Sequence, residues 1–564
     1  MIKVNTKTYI FRISLLLALL LSICTCFYAI QHYQSGNSIV QNNKFNIEGT
    51  RPSGMGPSKN SPLQQDLAPN SKINNDQNAQ ANDNGGIKTQ NEVGQPADHK
   101  NQQQLNGNTQ GDFNYKSKGD NKNRQPGQFG GDMQRGGTST QYLPTLSIYS
   151  AIFLILSCGI YFLFRRKKLE VNLKDEKLLI FTLLAVGLLL RIAVSTLIDG
   201  YSGDISLFRN WAEIAANGFS QFYANARQAD YPPLYIYVLG LVGKLASISN
   251  FNSYYELLLK IPSIIADIIT SYFIYKLGKK YLSSVISIFL AVFYIFNPAI
   301  FIDSTFWGQV DSFFTLLILI AIYLLCEKKY AFSSAMFATA ILMKPQGIIF
   351  LPILFFELVR QRKLKNFINA AISALITALI IIIPFSLNQQ NPLWIINLYT
   401  KTISEYPYAS VNAFNFFSLI GGNYKDYNSE LFGANYHIIG MILIVVTTLI
   451  GWFVYIKGSD RRYVSAIALL QIAGVFTFSV GMHERYLFPA VALAILAFIY
   501  LKDKRFFLLA IGFSITSYMN ISTVFFSSGA ATFNILLTGT AFLNILLVIY
   551  LIKVLLANGV KKFL

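Results

Sequence analysis

Blocks of about twenty consecutive apolar residues recur along this chain, and nothing else limits its fold as strongly. A helix of ~20 residues is ~30 Å long, the depth of a bilayer's hydrocarbon core. In that medium every backbone N–H and C=O must find a partner within the chain, so such blocks become helices. Apolar blocks occupy residues 9–29, 145–164, 177–197, 257–277, 281–299, 312–326, 331–343, 346–358, 366–386, 435–456, 463–481, 486–500, 505–522 and 533–555. Only 13% of the 564 residues are charged, too few to coat a soluble protein of this size. The expected fold class is all-α, a polytopic transmembrane helical bundle of about 12–14 spans.

Composition divides the chain into three parts. Residues 1–30 read as an N-terminal anchor or signal segment; the anchor is favoured because no clear small-residue cleavage site follows. Residues 31–141 are rich in Asn, Gln, Gly, Ser and Pro. They can bury too little surface to offset chain entropy, so they read as a disordered extracytoplasmic tether. Residues 142–564 form the membrane domain. Cys24, Cys26, Cys158 and Cys326 show neither metal-ligand spacing nor a disulfide framework. No basic, aromatic-laced soluble segment is present, so nucleic acid is not an expected partner.

Lys and Arg total 47 against 28 Asp and Glu, and their clusters set an orientation. Arg165 to Lys168, Lys276 with Lys279-Lys280, Lys328-Lys329, Arg360 to Lys365, Arg461-Arg462, Lys502 to Arg505 and Lys561-Lys562 are all assigned to the cytoplasm. Two consequences follow. The stretch Pro233 to Ala246 lies between an outward and an inward span, so it cannot cross and should form a juxtamembrane helix at the outer interface. Residues 331–358 begin and end at basic clusters, so they should form two short helices turning at Met343-Lys344-Pro345-Gln346, where Pro345 ends the first. The loops 198–256, 300–311 and 387–434 then share one face with the turns at Lys344 and 481–486.

The unusual polar residues gather on that face. Asp204 follows Gly203 just after a span, and its spacing to Phe208 and Trp211 puts a carboxylate and aromatic rings on one helical face. That suits a general base for an acceptor hydroxyl beside a ring that stacks on sugar; a helix N-cap is the equal alternative. In Trp307-Gly308-Gln309-Val310-Asp311-Ser312, Gln309 and Asp311 suit sugar or acceptor hydroxyls. The competing roles are an N-cap for Asp311 and an interfacial belt position for Trp307. Lys344 either pairs with a lipid phosphate or snorkels to the interface. His483-Glu484-Arg485 sets three ionisable residues between two apolar spans, which costs several kcal/mol unless they pair or line a cavity. His483 and Arg485 suit a departing phosphate, with Glu484 holding Arg485; the alternative is a structural ion pair at a tight turn. Trp394, Tyr406, Tyr408, Asn412 and Asn415 in the loop 387–434 suit carbohydrate and any membrane-interface loop alike.

These motifs together resemble a known superfamily. Gly203-Asp204, Arg209, Trp211 and Asp230-Tyr231-Pro232-Pro233-Leu234 are similar to the first luminal loop of endoplasmic reticulum glucosyltransferases that act on lipid-linked oligosaccharide. His483-Glu484-Arg485 resembles their later His-Glu-Lys turn, with Arg485 in place of Lys. Trp307 to Ser312, Lys344-Pro345-Gln346 and His483 to Pro489 look still more like bacterial membrane mannosyltransferases related to a GPI mannosyltransferase. Both groups belong to the GT-C superfamily, and the likeness covers about residues 175–525. The resemblance implies an inverting transfer of a hexose, mannose or glucose, from a polyprenyl-phosphate donor to a glycolipid, glycan or protein acceptor at the outer face of the cell membrane. It implies Asp204 as base, His483, Arg485 and Lys344 near the donor phosphate, and Arg209, Trp211, Asp230, Tyr231, Gln309 and Asp311 around sugar or acceptor. It also implies that neither a metal nor a further cofactor is required. The rival classes are a transporter or flippase of an envelope lipid, a non-catalytic envelope scaffold, and another branch of the superfamily such as a protein O-mannosyltransferase or a lipid A-type aminosugar transferase. A transporter usually shows paired repeats and broken helices at the midplane, whereas here polar residues cluster at one face.

Overall fold

The computed structural model describes residues 6–33, 140–166, 175–226, 228–458 and 460–560. Most of the tether assigned to 31–141, and the clusters Lys167-Lys168 and Lys561-Lys562, lie outside the described residues.

Helices succeed one another along the rest: α1 (Thr6–Gln31), α2 (Leu143–Arg165), α3 (Glu176–Ser195), α4 (Ser202–Asn217), α5 (Pro233–Ala246), α6 (Tyr255–Tyr281), α7 (Ser284–Ile295), α8 (Asp311–Cys326), α9 (Tyr330–Ile341), α10 (Leu351–Gln361), α11 (Leu364–Ser386), α12 (Trp394–Ser404), α13 (Tyr436–Gly458), α14 (Val464–Phe478), α15 (Pro489–Leu501), α16 (Lys504–Phe525) and α17 (Ala530–Val560). The architecture is an all-α polytopic bundle. Its one described sheet is a two-stranded hairpin in which Glu430 faces Asn435, closed by Phe432 and Gly433 at positive φ.

Every apolar block contains a helix, but the helices are of two kinds. Among the described residues eight are long and apolar enough to cross a membrane: α1, α2, α3, α6, α11, α13, α16 and α17. A ninth arises if α7 and the segment Pro298–Trp307, bent from it by 41°, are one broken span. The remaining apolar helices are shorter. At 1.5 Å per residue, α8, α9 and α15 reach only about 18–24 Å, against ~30 Å of hydrocarbon. The bundle therefore has fewer full-length spans than the 12–14 expected, because several blocks supply short internal helices.

Burial explains how short helices are tolerated. Val464 to Thr477 of α14 and Pro489 to Tyr500 of α15 are buried without a break. Helices apolar on all sides belong at the centre of a bundle. By contrast α11 buries only Ala370, Ile381 and Phe385, and Leu375, Ile376 and Ile380 stay exposed on its outer side. The short α14 and α15 thus lie at the centre, with the long α6 and α16 largely buried beside them, while α1, α2 and α11 expose most of their surfaces.

The short α5 occupies the stretch expected to be juxtamembrane and packs closely on α4. A Cβ at Gly243 would lie 2.1 Å from the Ala212 carbonyl oxygen, so only glycine permits this approach. The region 300–311, expected to be a loop, is instead mostly helical and buried. Asn297 caps a one-turn helix at Pro298–Phe301, accepting from the Ala299 amide at 3.0 Å, and a π-turn runs from Ile302 to Trp307. Gly308, at φ +85°, ends it.

Ion pairs mark one end of the bundle. Arg12 pairs with Asp175 at 2.6 Å, Lys279 with Glu176 at 2.8 Å, Lys280 with Glu327 at 2.8 Å, and Arg360 with Glu357 at 2.8 Å. The chain turns expected to carry the basic clusters meet there. α9 and α10 both start or finish at that end and turn back at Lys344, the expected hairpin. Asp204, Trp307, Lys344 and Arg485 lie at the other ends of these helices.

Candidate active site

α4 begins at Ser202 after Tyr201, whose amide donates to the Trp307 carbonyl at 3.0 Å. Asp204 therefore sits inside the first turn and is not the N-cap. Its carboxylate turns towards the Trp307–Asp311 segment. Trp307 Nε1 donates to Asp204 Oδ2 at 2.6 Å, and Gln309 Nε2 donates to the same oxygen. The Arg485 guanidinium lies 3.6 Å from Oδ2. Oδ1 has no partner among the described residues.

Arg485 comes from the turn between α14 and α15. Its Nη1 donates to Glu484 at 2.7 Å, and its guanidinium lies 4.6 Å from the Trp307 ring centroid, a cation–π contact. Its Nε is buried without a hydrogen-bond partner, 3.9 Å from Asp311 Oδ2, which also lacks one. The other Asp311 oxygen accepts from Lys344 Nζ at 2.8 Å, with both side chains under 5% exposed. Asp311 opens α8 without capping it. Lys344 Nζ also lies 5.7 Å from the ring centroids of both Tyr231 and Tyr486, and the Tyr231 hydroxyl donates to Gln309 Oε1 at 3.4 Å.

His483 is framed by the Tyr406 ring at 4.5 Å and the Tyr486 ring at 5.0 Å. Burial, then the positive charges of Arg485 and Lys344, push its imidazole down to about 3. It is therefore neutral near pH 7 and offers a hydrogen bond, not a charge; the cations of the site are Lys344 and Arg485. Glu484 is buried, and burial raises its carboxyl while Arg485 opposes the shift. Asp204, His483 and Tyr406 remain partly exposed above the buried Asp311 and Lys344. The site has an open rim and a closed floor.

Residues 230–387, from just before α5 to the end of α11, match the profile of the dolichyl-phosphate-mannose-protein mannosyltransferase family. The chain is related to the membrane mannosyltransferases of GT-C type. No individually curated protein matches it. The matched stretch contains Asp230, Tyr231, Gln309, Asp311 and Lys344 of this glycosyltransferase; Asp204 and the His483 turn lie outside it. The matching profile is that of the protein mannosyltransferases, the branch of the superfamily that ranked as a rival to the two resembled groups.

The glycosyltransferase brings together Asp204, Tyr231, Gln309, Asp311, Lys344, His483, Glu484 and Arg485. It does not bring in Arg209 or Trp211. Arg209 pairs with Glu256 at 2.8 Å and Glu213 at 3.1 Å and lies over the Tyr255 ring, because α4 presents it to α6. Trp211 is 1% exposed and packs against Phe208 and Tyr231. The helical face carrying Asp204, Phe208 and Trp211 is shared as expected, but it dives into the core one turn after Asp204. A fully buried ring cannot stack on a sugar, so the correction for Trp211 is a supporting role.

Sequence reasoning gave no role to several buried charges behind the site, among them Asp303, whose two carboxylate oxygens lack hydrogen-bond partners among the described residues. Lys260 of α6 is fully buried and donates to the Ser195 carbonyl at 3.3 Å and to that of Ile198, capping the C-terminus of α3. Arg191 and Asp267, both fully buried, lie 3.5 Å apart. Arg191 donates to Ser304, Thr305 and the Ile295 carbonyl, and Ser304 donates to Asp267 at 2.6 Å. These bonds fix the turn that ends in Trp307. The available signal was a charge inside each apolar block, which is rare without a partner or a function.

Asp230 stands at the rim, and burial, then Glu405, raises its carboxyl to about 7. An unfolded Asp ionises near 4, so between pH ~4 and ~7 the folded state holds a proton that the unfolded chain has lost. Its contribution is thus favourable below that window and is lost as pH rises through it. Asp230→Asn is expected to raise the unfolding midpoint at pH 8 and to change it little at pH 4.5. Melting curves at the two pH values check this; equal shifts at both would contradict the raised carboxyl.

Proposed function

We propose that this membrane glycosyltransferase moves a hexose, mannose in the first instance, from a polyprenyl-phosphate donor to a hydroxyl of a cell-envelope acceptor on the extracytoplasmic side. The meeting of Asp204 with Arg485 at 3.6 Å is the observation that carries the reading. An early segment contributes an acid, a late one a cation, and both reach one partly open site. The orientation rests on the basic clusters at the opposite end, and the choice of mannose rests on the matched family.

In this reading the acceptor O–H gives its proton to Asp204 as its oxygen attacks the anomeric carbon. The bond from that carbon to the phosphate oxygen breaks on the opposite side, and the polyprenyl phosphate leaves as an anion. Arg485 and Lys344 are fixed cations aimed where that charge grows. Without donor, carboxylates already neutralise them. The longest of these contacts that involves the base is Asp204 to Arg485. A donor phosphate on Arg485 competes for that charge and frees the Asp204 carboxylate to meet the acceptor hydroxyl. His483 serves as a neutral hydrogen-bond partner at the rim, and Gln309 and Tyr231 orient the sugar or acceptor. No metal is invoked.

The test is incubation of membranes bearing the chain with radiolabelled polyprenyl-phosphate mannose and, separately, polyprenyl-phosphate glucose. Label is expected to enter an envelope product from the mannose donor. Failure of every polyprenyl-phosphate hexose to label any product would overturn the reading in favour of lipid or glycan transport.

A further inference from the structure

The end of the bundle opposite Asp204 carries a second polar site. A cavity of about 540 Å³ is lined by Lys328, Tyr330, Arg360, Lys363, Asn366 and Arg461, among others. Four cations face it, against Asp460 in the wall and Glu357 beneath. Glu357 is fully buried, and its carboxylate organises the lining. It accepts from Arg360 Nε at 2.9 Å, from the Tyr330 hydroxyl at 3.2 Å and from Gln361 at 2.6 Å, with the Tyr455 hydroxyl also bonded and Arg461 at 3.9 Å. A general bias of cytoplasmic loops towards positive charge needs exposed cations only. It does not need a buried acid that holds two guanidinium groups at one cavity.

Asp460 is paired with Arg462 at 2.5 Å, so Glu357 alone offsets the four lining cations, and Lys328 and Lys363 stand exposed at the mouth. Guanidinium forks and ammonium groups together are the donor set that recognises phosphate oxygens. Beside the mouth, α11 begins with an apolar outer face in which Leu364 is 75%, Ile368 48% and Ile372 50% exposed. A ligand with a phosphate head and a hydrocarbon tail fits both surfaces at once. We propose that this cavity binds the phosphate of an anionic membrane lipid, whose chains lie along α11. Basic pockets between transmembrane helices on the cytoplasmic side recognise such headgroups. The site is separate from the proposed transfer chemistry, so either can fail without the other.

The experiment uses the purified full-length chain in detergent. Lipid retention by native mass spectrometry and the unfolding midpoint are followed with phosphatidylglycerol, phosphatidylcholine and inorganic phosphate. Phosphatidylglycerol is expected to be retained and to raise the midpoint. The double substitution Lys328→Ser with Lys363→Ser should weaken its binding by roughly tenfold or more while leaving hexose transfer unchanged. Equal retention of phosphatidylcholine, or undiminished phosphatidylglycerol binding by the double variant, overturns the proposal. A lysine-dependent shift with inorganic phosphate, and none with phosphatidylglycerol, overturns the assignment to lipid.

Discussion

Asp204→Asn is expected to reduce hexose transfer by roughly 10²–10⁴-fold, the usual contribution of a general base, in a chain that still folds. The amide has the volume of the carboxylate and retains an oxygen that accepts from Trp307 or Gln309. The side chain is 24% exposed, so its charge is not a buried necessity. What the substitution removes is the ability to take a proton. It also removes an acid that competes with the donor phosphate for Arg485, so donor affinity should hold or improve while turnover collapses. Turnover at saturating donor, measured with donor affinity on the same preparation, separates these effects. Near-wild-type turnover by Asp204→Asn would reject Asp204 as the base.

The second large effect concerns the floor. Lys344 and Asp311 are paired at 2.8 Å with side chains 4% and 3% exposed. Removing one partner of a buried pair typically costs about 3–5 kcal/mol, because the other charge is left without compensation. Lys344→Met should therefore lower stability by about that amount and leave little folded, active protein. Replacing both with apolar residues of similar volume is often neutral, so Lys344→Met with Asp311→Leu should recover much of the stability. It should not recover transfer, because the cation opposite the leaving phosphate is gone. Recovery of both folding and transfer would show the pair to be structural only.

The contrast between these two sites also explains what was legible beforehand. Apolar blocks carry their own length, so the long helices and the turn at Lys344 could be read directly. A block of 12–16 residues reads as a span from its composition, yet the apolar surfaces of α8 and α15 mostly meet protein. Composition does not distinguish a lipid neighbour from a helix neighbour. The convergence of Asp204, Asp311, Lys344 and Arg485 followed from orientation, because misplaced charges at one face have to find each other. The fates of Arg209 and Trp211 did not follow. Helical spacing says which residues share a face but not which way that face turns, and Glu256 on α6 decides it for Arg209. Lys260, Arg191 and Asp267 were passed over because each is a single charge in a long apolar run. Their partners lie on other helices or on backbone carbonyls that no local pattern reveals.

The burial of Lys344 and Asp311 beneath more exposed neighbours governs the order in which a reactant would meet these groups. Lys344 stands about 20 Å along α9 from the basic end, its side chain 4% exposed, while Asp204 is 24% exposed. An arriving ligand would therefore touch Asp204 before it could reach the Lys344 ammonium. Contact with the outer carboxylate and contact with the inner cation would then be successive events on one path, and a ligand too short to span both would engage only the first.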